Sequence, residues 1–174
     1  MKSRYLFGLL VLGSMVAACS NNDTPAAPSG SSTATLTATL LPSNEVPPIS
    51  GVEATGSGTA TVTLNTTKDS SGVITAASLN VTVSATGFPA GTSLTASHIH
   101  GANAGTNGGI LVSFGLGAGE VTFPNGSGSF TKQGVAVTAD QANSFLANPS
   151  GFYVNIHTAA NPGGVARGQL VRAQ

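Results

Sequence analysis

The chain is short of charge and of thiol. Only 7% of its 174 residues are Asp, Glu, Lys or Arg, six acids against six bases, and it holds one cysteine. A lone cysteine cannot close an internal disulfide. Beyond residue 19 the bases are Lys68, Lys132, Arg167 and Arg172, facing Asp23, Glu45, Glu53, Asp69, Glu120 and Asp140. A slight negative balance with no basic cluster argues against nucleic acid as a partner. It also supplies no polybasic patch for anionic lipid. No Gly-rich phosphate loop precedes a helix pattern, so nucleotide binding is not indicated. No repeat of fixed period appears. No apolar run reaches the roughly 20 residues that a membrane-spanning helix needs.

What is there begins with an export grammar. Lys2 and Arg4 precede an apolar run from Tyr5 to Val16, and Val16-Ala17-Ala18-Cys19 follows. A basic start, a short apolar stretch and small residues at the cut read as a secretory signal over residues 1–18. The Val-Ala-Ala-Cys pattern resembles the lipobox of bacterial lipoproteins. That resemblance implies diacylglycerylation of Cys19, cleavage just before it and a further acyl chain on the new amino terminus. Several chains together hold a protein on a membrane, whereas one does so only marginally. Ser20 follows the cysteine where an aspartate would retain the protein, so a Gram-negative envelope would pass it to the outer membrane. Residues 20–32, SNNDTPAAPSGSS, have no apolar periodicity and read as a flexible tether. A coil of that length reaches on the order of 20 Å. The expectation is one extracytoplasmic domain, residues 33–174, floating close to its membrane.

The domain reads as strands. Leu36, Ala38 and Leu40 alternate with Thr35, Thr37 and Thr39; Ala60, Val62 and Leu64 with Thr59, Thr61 and Thr63; Leu79, Val81 and Val83 with Asn80, Thr82 and Ser84. Period two gives each strand an apolar and a polar face. Later strands are expected at Ala96–His100, Ile110–Phe114, Glu120–Phe123, Gly128–Gln133, Phe152–Thr158 and Val165–Val171. Turn residues at 68–72, 124–126 and 161–164 separate them. One helix begins at Thr138, with Gln141 completing a capping box, and stops near Pro149. About 8–9 short strands with one short helix predict an all-β fold, a Greek-key β-sandwich or a partly closed barrel.

Three polar motifs interrupt this pattern: Asn44-Glu45-Val46-Pro47-Pro48, then His98-Ile99-His100-Gly101, then Tyr153-Val154-Asn155-Ile156-His157-Thr158 continuing to Arg167-Gly168-Gln169-Leu170. In that order they resemble the chordin-type, or CHRD, domain family, over about Thr33 to Leu170. The family shows an N-E-V-P-P loop, an H-I-H-G strand end, a Y-V-N-x-H-T strand and a late R-G-Q-L strand. The resemblance implies an exported module; the lipobox, the tether and a domain without a complete catalytic set point to a membrane-tethered binding or structural module without catalytic activity.

The chain's three histidines form the candidate site. His98 and His100 lie two apart, so they share a strand face while Ile99 takes the other. His157 shares its face with Tyr153 and Asn155. If the two strands are neighbours the three imidazoles converge, and such a set with an open position suits Zn²⁺ or Cu²⁺. A mononuclear metal centre, with redox or dismutase-like chemistry, is therefore the second reading. The H-x-H strand, the late histidine and the following Arg167 also resemble the copper site of Cu/Zn superoxide dismutases. The loop after His100 offers no ligands for that family's second metal. The bland alternative makes the histidines hydrogen-bonded struts, with Asn155 and Gln169 doing similar work and Arg167 pairing with Glu45. Ser97 points away from His98, so no Ser-His-Asp set is suggested. Beyond the membrane itself, the expected partner is a protein or a glycan.

Overall fold

A computed structural model describes residues 30–174. The signal, Cys19 and the first part of the tether lie outside the described residues. The first strand, β1 (Gly30–Leu40), takes in the last three residues of the expected tether, Gly30 to Ser32, which pair with Lys68, Thr67 and Thr66 of β2 (Ser57–Lys68). β2 continues through a hairpin into β3 (Ile74–Thr86). The order then runs β4 (Thr92–Gly101), β5 (Gly109–Ser113), β6 (Thr122–Phe123), β7 (Gly128–Val137), α1 (Ala139–Ala147), β8 (Phe152–Thr158), β9 (Ala166–Gln169) and β10 (Val171–Arg172).

All pairings are antiparallel, in two sheets. One has the order β10-β1-β2-β3-β7; the other has β5-β4-β8-β9, with β6 joined to β4. The fold is a two-sheet sandwich rather than a closed barrel. Alternation explains the join. Leu36, Leu40, Val62, Leu64, Leu79 and Val81 from the first sheet are fully buried, as are Leu94, Ile99, Val154 and Ile156 from the second. Thr at the intervening positions carries the outer face of the first sheet, where a β-branched polar side chain fits well. The helix carries the expected cap: the Thr138 hydroxyl accepts from the Gln141 N–H and the Gln141 side chain accepts from Thr138 N–H.

Two expected strands change shape. Glu120–Phe123 is reduced to Thr122–Phe123, because Glu120 closes a turn in which its N–H donates to the Gly117 carbonyl at 3.1 Å, while its side chain pairs with Lys132 at 2.6 Å. Val165–Val171 divides at the buried Leu170. β9 pairs with β8, whereas β10 pairs with β1 in the opposite sheet. The chain thus crosses the sandwich at Leu170 and closes its edge. Gly168 makes the crossing possible. A Cβ there would stand 2.0 Å from the Thr39 carbonyl oxygen, so β9 and β1 approach backbone to backbone.

Candidate metal centre

The outer face of the second sheet carries the polar motifs. In register, His98 lies opposite Asn155, which lies opposite Arg167; His100 lies opposite Tyr153, which lies opposite Gln169. Ser97, Ile99, Val154 and Ile156 point into the sandwich, and the Ser97 hydroxyl donates to the Asn155 carbonyl at 2.9 Å. Period two therefore places every candidate residue of β4, β8 and β9 on one surface.

All three histidines converge there. One ring nitrogen from each of His98, His100 and His157 lies within 4.8 Å of the others. His98 Nδ1 is 3.1 Å from His157 Nε2. Two nitrogens bonded to one tetrahedral zinc stand about 3.3 Å apart, so this separation is close to that of a ligand pair.

The tautomers are set by backbone carbonyls. His100 Nδ1 lies 3.0 Å from the Gly108 oxygen, and His157 Nδ1 lies 2.9 Å from the Pro162 oxygen. A carbonyl only accepts, so both Nδ1 atoms carry hydrogen and both Nε2 atoms keep a lone pair. Metal-bound histidines commonly donate their second N–H in this way. His100 Nε2 is buried with no partner. Burial is the main force keeping these rings neutral. It lowers His98 to about 4, with His157 and His100 adding repulsion. It lowers His100 and His157 too, against the opposing pull of their carbonyl bonds. Neutral imidazole is the form that binds a metal.

Loops build the remaining walls. The His100 ring stacks on Tyr153, centroids 4.9 Å apart and planes 4° apart, and the Tyr153 hydroxyl accepts from Gly108 N–H at 3.2 Å. Gly108 admits no side chain, since a Cβ would meet the Gly101 oxygen at 2.2 Å. On the Tyr153 ring lies Arg167, its guanidinium carbon 4.6 Å from the centroid. Arg167 is 2% exposed. It donates to the Asn44 carbonyl at 2.6 Å, the Thr106 carbonyl at 3.3 Å and Asn107 Oδ1 at 2.9 Å. Its Nε is 3.9 Å from Glu45 Oε2, so the expected Glu45–Arg167 pairing is a buried ion contact. Burial raises Glu45 to about 7 although Arg167 pulls it down. Gln169 Nε2 donates to the carbonyls of Ala102, Ser150 and Phe152. Asn155 lies beside Gly164 with its Oδ1 unpartnered.

The structure thus brings His98, His100 and His157 together. Glu45 and Arg167 form a flanking hub, and Gln169 ties down the loop. The sequence had not singled out Gly108 and Pro162, which fix the two tautomers. Their signal was the Gly-rich run after His100 and the Asn-Pro-Gly-Gly turn after His157. Nor had it singled out Glu53, whose carboxylate accepts from the Thr158 hydroxyl at 2.9 Å and from the Asn161 amide.

A family model described as "CHRD domain" matches residues 36–170. The chain belongs to the CHRD domain family. The matched span runs from β1 to the crossing residue Leu170 and includes all four motifs. No curated protein and no solved structure matches the chain. The superoxide dismutase resemblance therefore rests on the pattern of the histidines and Arg167 alone. In this CHRD domain the motifs occupy one place: the N-E-V-P-P loop and the R-G-Q-L strand meet at Glu45 and Arg167, beside the histidines of H-I-H-G and Y-V-N-I-H-T.

Proposed function

We propose that this CHRD domain is a lipid-tethered extracytoplasmic binding module that holds one Cu²⁺ or Zn²⁺ ion through His98, His100 and His157. The convergence of three neutral imidazoles carries the reading. Two present Nε2 lone pairs; His98 Nδ1 donates to His157 Nε2 in the metal-free chain and becomes a ligand once that hydrogen moves to the other ring nitrogen. His100 Nε2, buried and unpartnered, is costly unless something binds it. A metal ion satisfies it and uses the His98–His157 pair at the same time. The lipobox and tether support attachment through Cys19, with the domain outside the cytoplasm. When bound, the ion would supply Lewis acidity, and copper would add one-electron chemistry. The residues themselves bind and orient it.

The test is metal titration of the chain with Cys19→Ser, stripped of metal, beside the His98→Ala/His100→Ala/His157→Ala variant. One equivalent of Cu²⁺ or Zn²⁺ bound by the parent and lost in the variant is the expected result. No binding, with the variant merely less stable, would make the histidines hydrogen-bonded struts.

A further inference from the structure

Beside the histidines lies a cleft of about 580 Å³. It opens between the 45–50 loop and the 160–164 turn, with Pro47, Pro48 and Pro162 among its apolar walls and Asn107 and Asn161 among its polar ones. His100 and Glu45 also line it. Pockets of this size take small organic molecules through a few placed polar groups.

Its polar chemistry is specific. Among the described residues, Glu45 is the only Asp, Glu, Lys or Arg lining it. Behind Glu45 the buried Arg167 balances the charge at 3.9 Å. Three side-chain atoms of this hub are buried with no partner: Glu45 Oε1, Asn155 Oδ1 and Arg167 Nη2. All three side chains are at least nine-tenths buried. Glu45 Oε1 and Asn155 Oδ1 face the same cleft residue: a Cβ on Gly164 would stand 2.8 Å and 2.7 Å from them. Of these three residues Glu45 alone lines the cleft; Asn155 and Arg167 lie behind it.

An anion would meet Glu45 with no basic side chain lining the cleft. A cation would find the Glu45 charge already opposed by Arg167 at 3.9 Å. Hydroxyl groups both donate and accept without carrying charge. Proline faces offer apolar contact to the C–H faces of a sugar ring. We propose that this cleft binds a neutral saccharide, its hydroxyls bonding to the lining side chains Glu45, Asn107 and Asn161. The proposal does not depend on a bound metal.

The test is a glycan array carrying neutral and acidic oligosaccharides, probed with the full chain bearing Cys19→Ser, once metal-free and once with Zn²⁺. The expected result is retention on neutral glycans and none on uronate-bearing or sialylated ones. Ser50 and Ala160 are exposed at the cleft, so Ser50→Trp and Ala160→Trp fill it without disturbing the core. Each should weaken binding about tenfold or more. Glu45→Gln should weaken it as well. No retention on any neutral glycan, equal retention on acidic ones, or indifference to both tryptophans would overturn the proposal. The metal-free arm separates this outcome from failure of the metal site, which shows only in the metal titration.

Discussion

Replacing Arg167 by Met should destabilise the domain by about 4 kcal/mol. The guanidinium is 2% exposed and lies 3.9 Å from the buried Glu45 carboxylate. Removing one member of a buried pair costs about 3–5 kcal/mol when the other stays charged, so the full loss is expected at pH 8, above the Glu45 value of about 7. Met keeps much of the stem's volume, so the loss reads the charge and its hydrogen bonds more than packing. The Asn44 and Thr106 carbonyls and Asn107 Oδ1 each lose a donor as well. Urea unfolding of the Cys19→Ser chain is the assay. With a slope of about 2 kcal/mol/M, the midpoint should fall by about 2 M. The loss should grow with pH. Glu45 is raised from 4.5 to about 7 by burial, against the pull of Arg167. A raised folded pKa contributes stability below the unfolded value and loses it as pH rises through the folded one. Without Arg167 the carboxyl is harder to ionise still, so the gap between parent and variant should be wider at pH 8 than at pH 5. Adding Glu45→Gln to Arg167→Met should recover part of the loss, which a double-mutant cycle measures. A loss under about 1 kcal/mol, typical of an exposed pair, with no pH trend, would refute the reasoning.

Gly168→Ala should destabilise by about 1–3 kcal/mol, or more, since its methyl meets the Thr39 backbone rather than a movable side chain; an unchanged thermal midpoint would contradict the close β9–β1 approach. In metal-free protein, the His98 ring should protonate near pH 4 by NMR, and a midpoint near 6.5 would contradict its burial among imidazoles. Because His98, His100 and His157 are all lowered, stability should fall as pH drops below about 6.5, where the unfolded chain takes up protons first. Labelled palmitate should be incorporated by the parent chain in a bacterial host and not by Cys19→Ser; labelling that survives the substitution would place the acyl chain elsewhere.

The core was largely legible in the sequence. Alternation at Leu36, Val62, Leu79 and their neighbours names the buried face because pleating alone decides it. The same rule put His98, His100 and His157 opposite apolar residues. Alternation reports which face is buried and not which sheet a strand joins. For that reason the run from Val165 to Val171 read as one strand, although Leu170 carries the chain from one sheet to the other. Convergence of the histidines was legible only as a condition, that β4 and β8 be neighbours. The register between Ala96 and His157 meets it. The tautomers were not legible. They depend on Gly108 and Pro162 carbonyls delivered by loops, whose paths are set by long-range contacts such as Arg167 to Asn107 and Gln169 to Ala102.

The most direct test of the metal centre is X-ray absorption at the zinc edge of protein loaded with one equivalent of Zn²⁺. The expected spectrum has three imidazole nitrogens at about 2.0–2.1 Å, and it loses its histidine signature in the His98→Ala/His100→Ala/His157→Ala variant. A first shell of oxygen alone, or a spectrum indifferent to the three substitutions, would contradict the site.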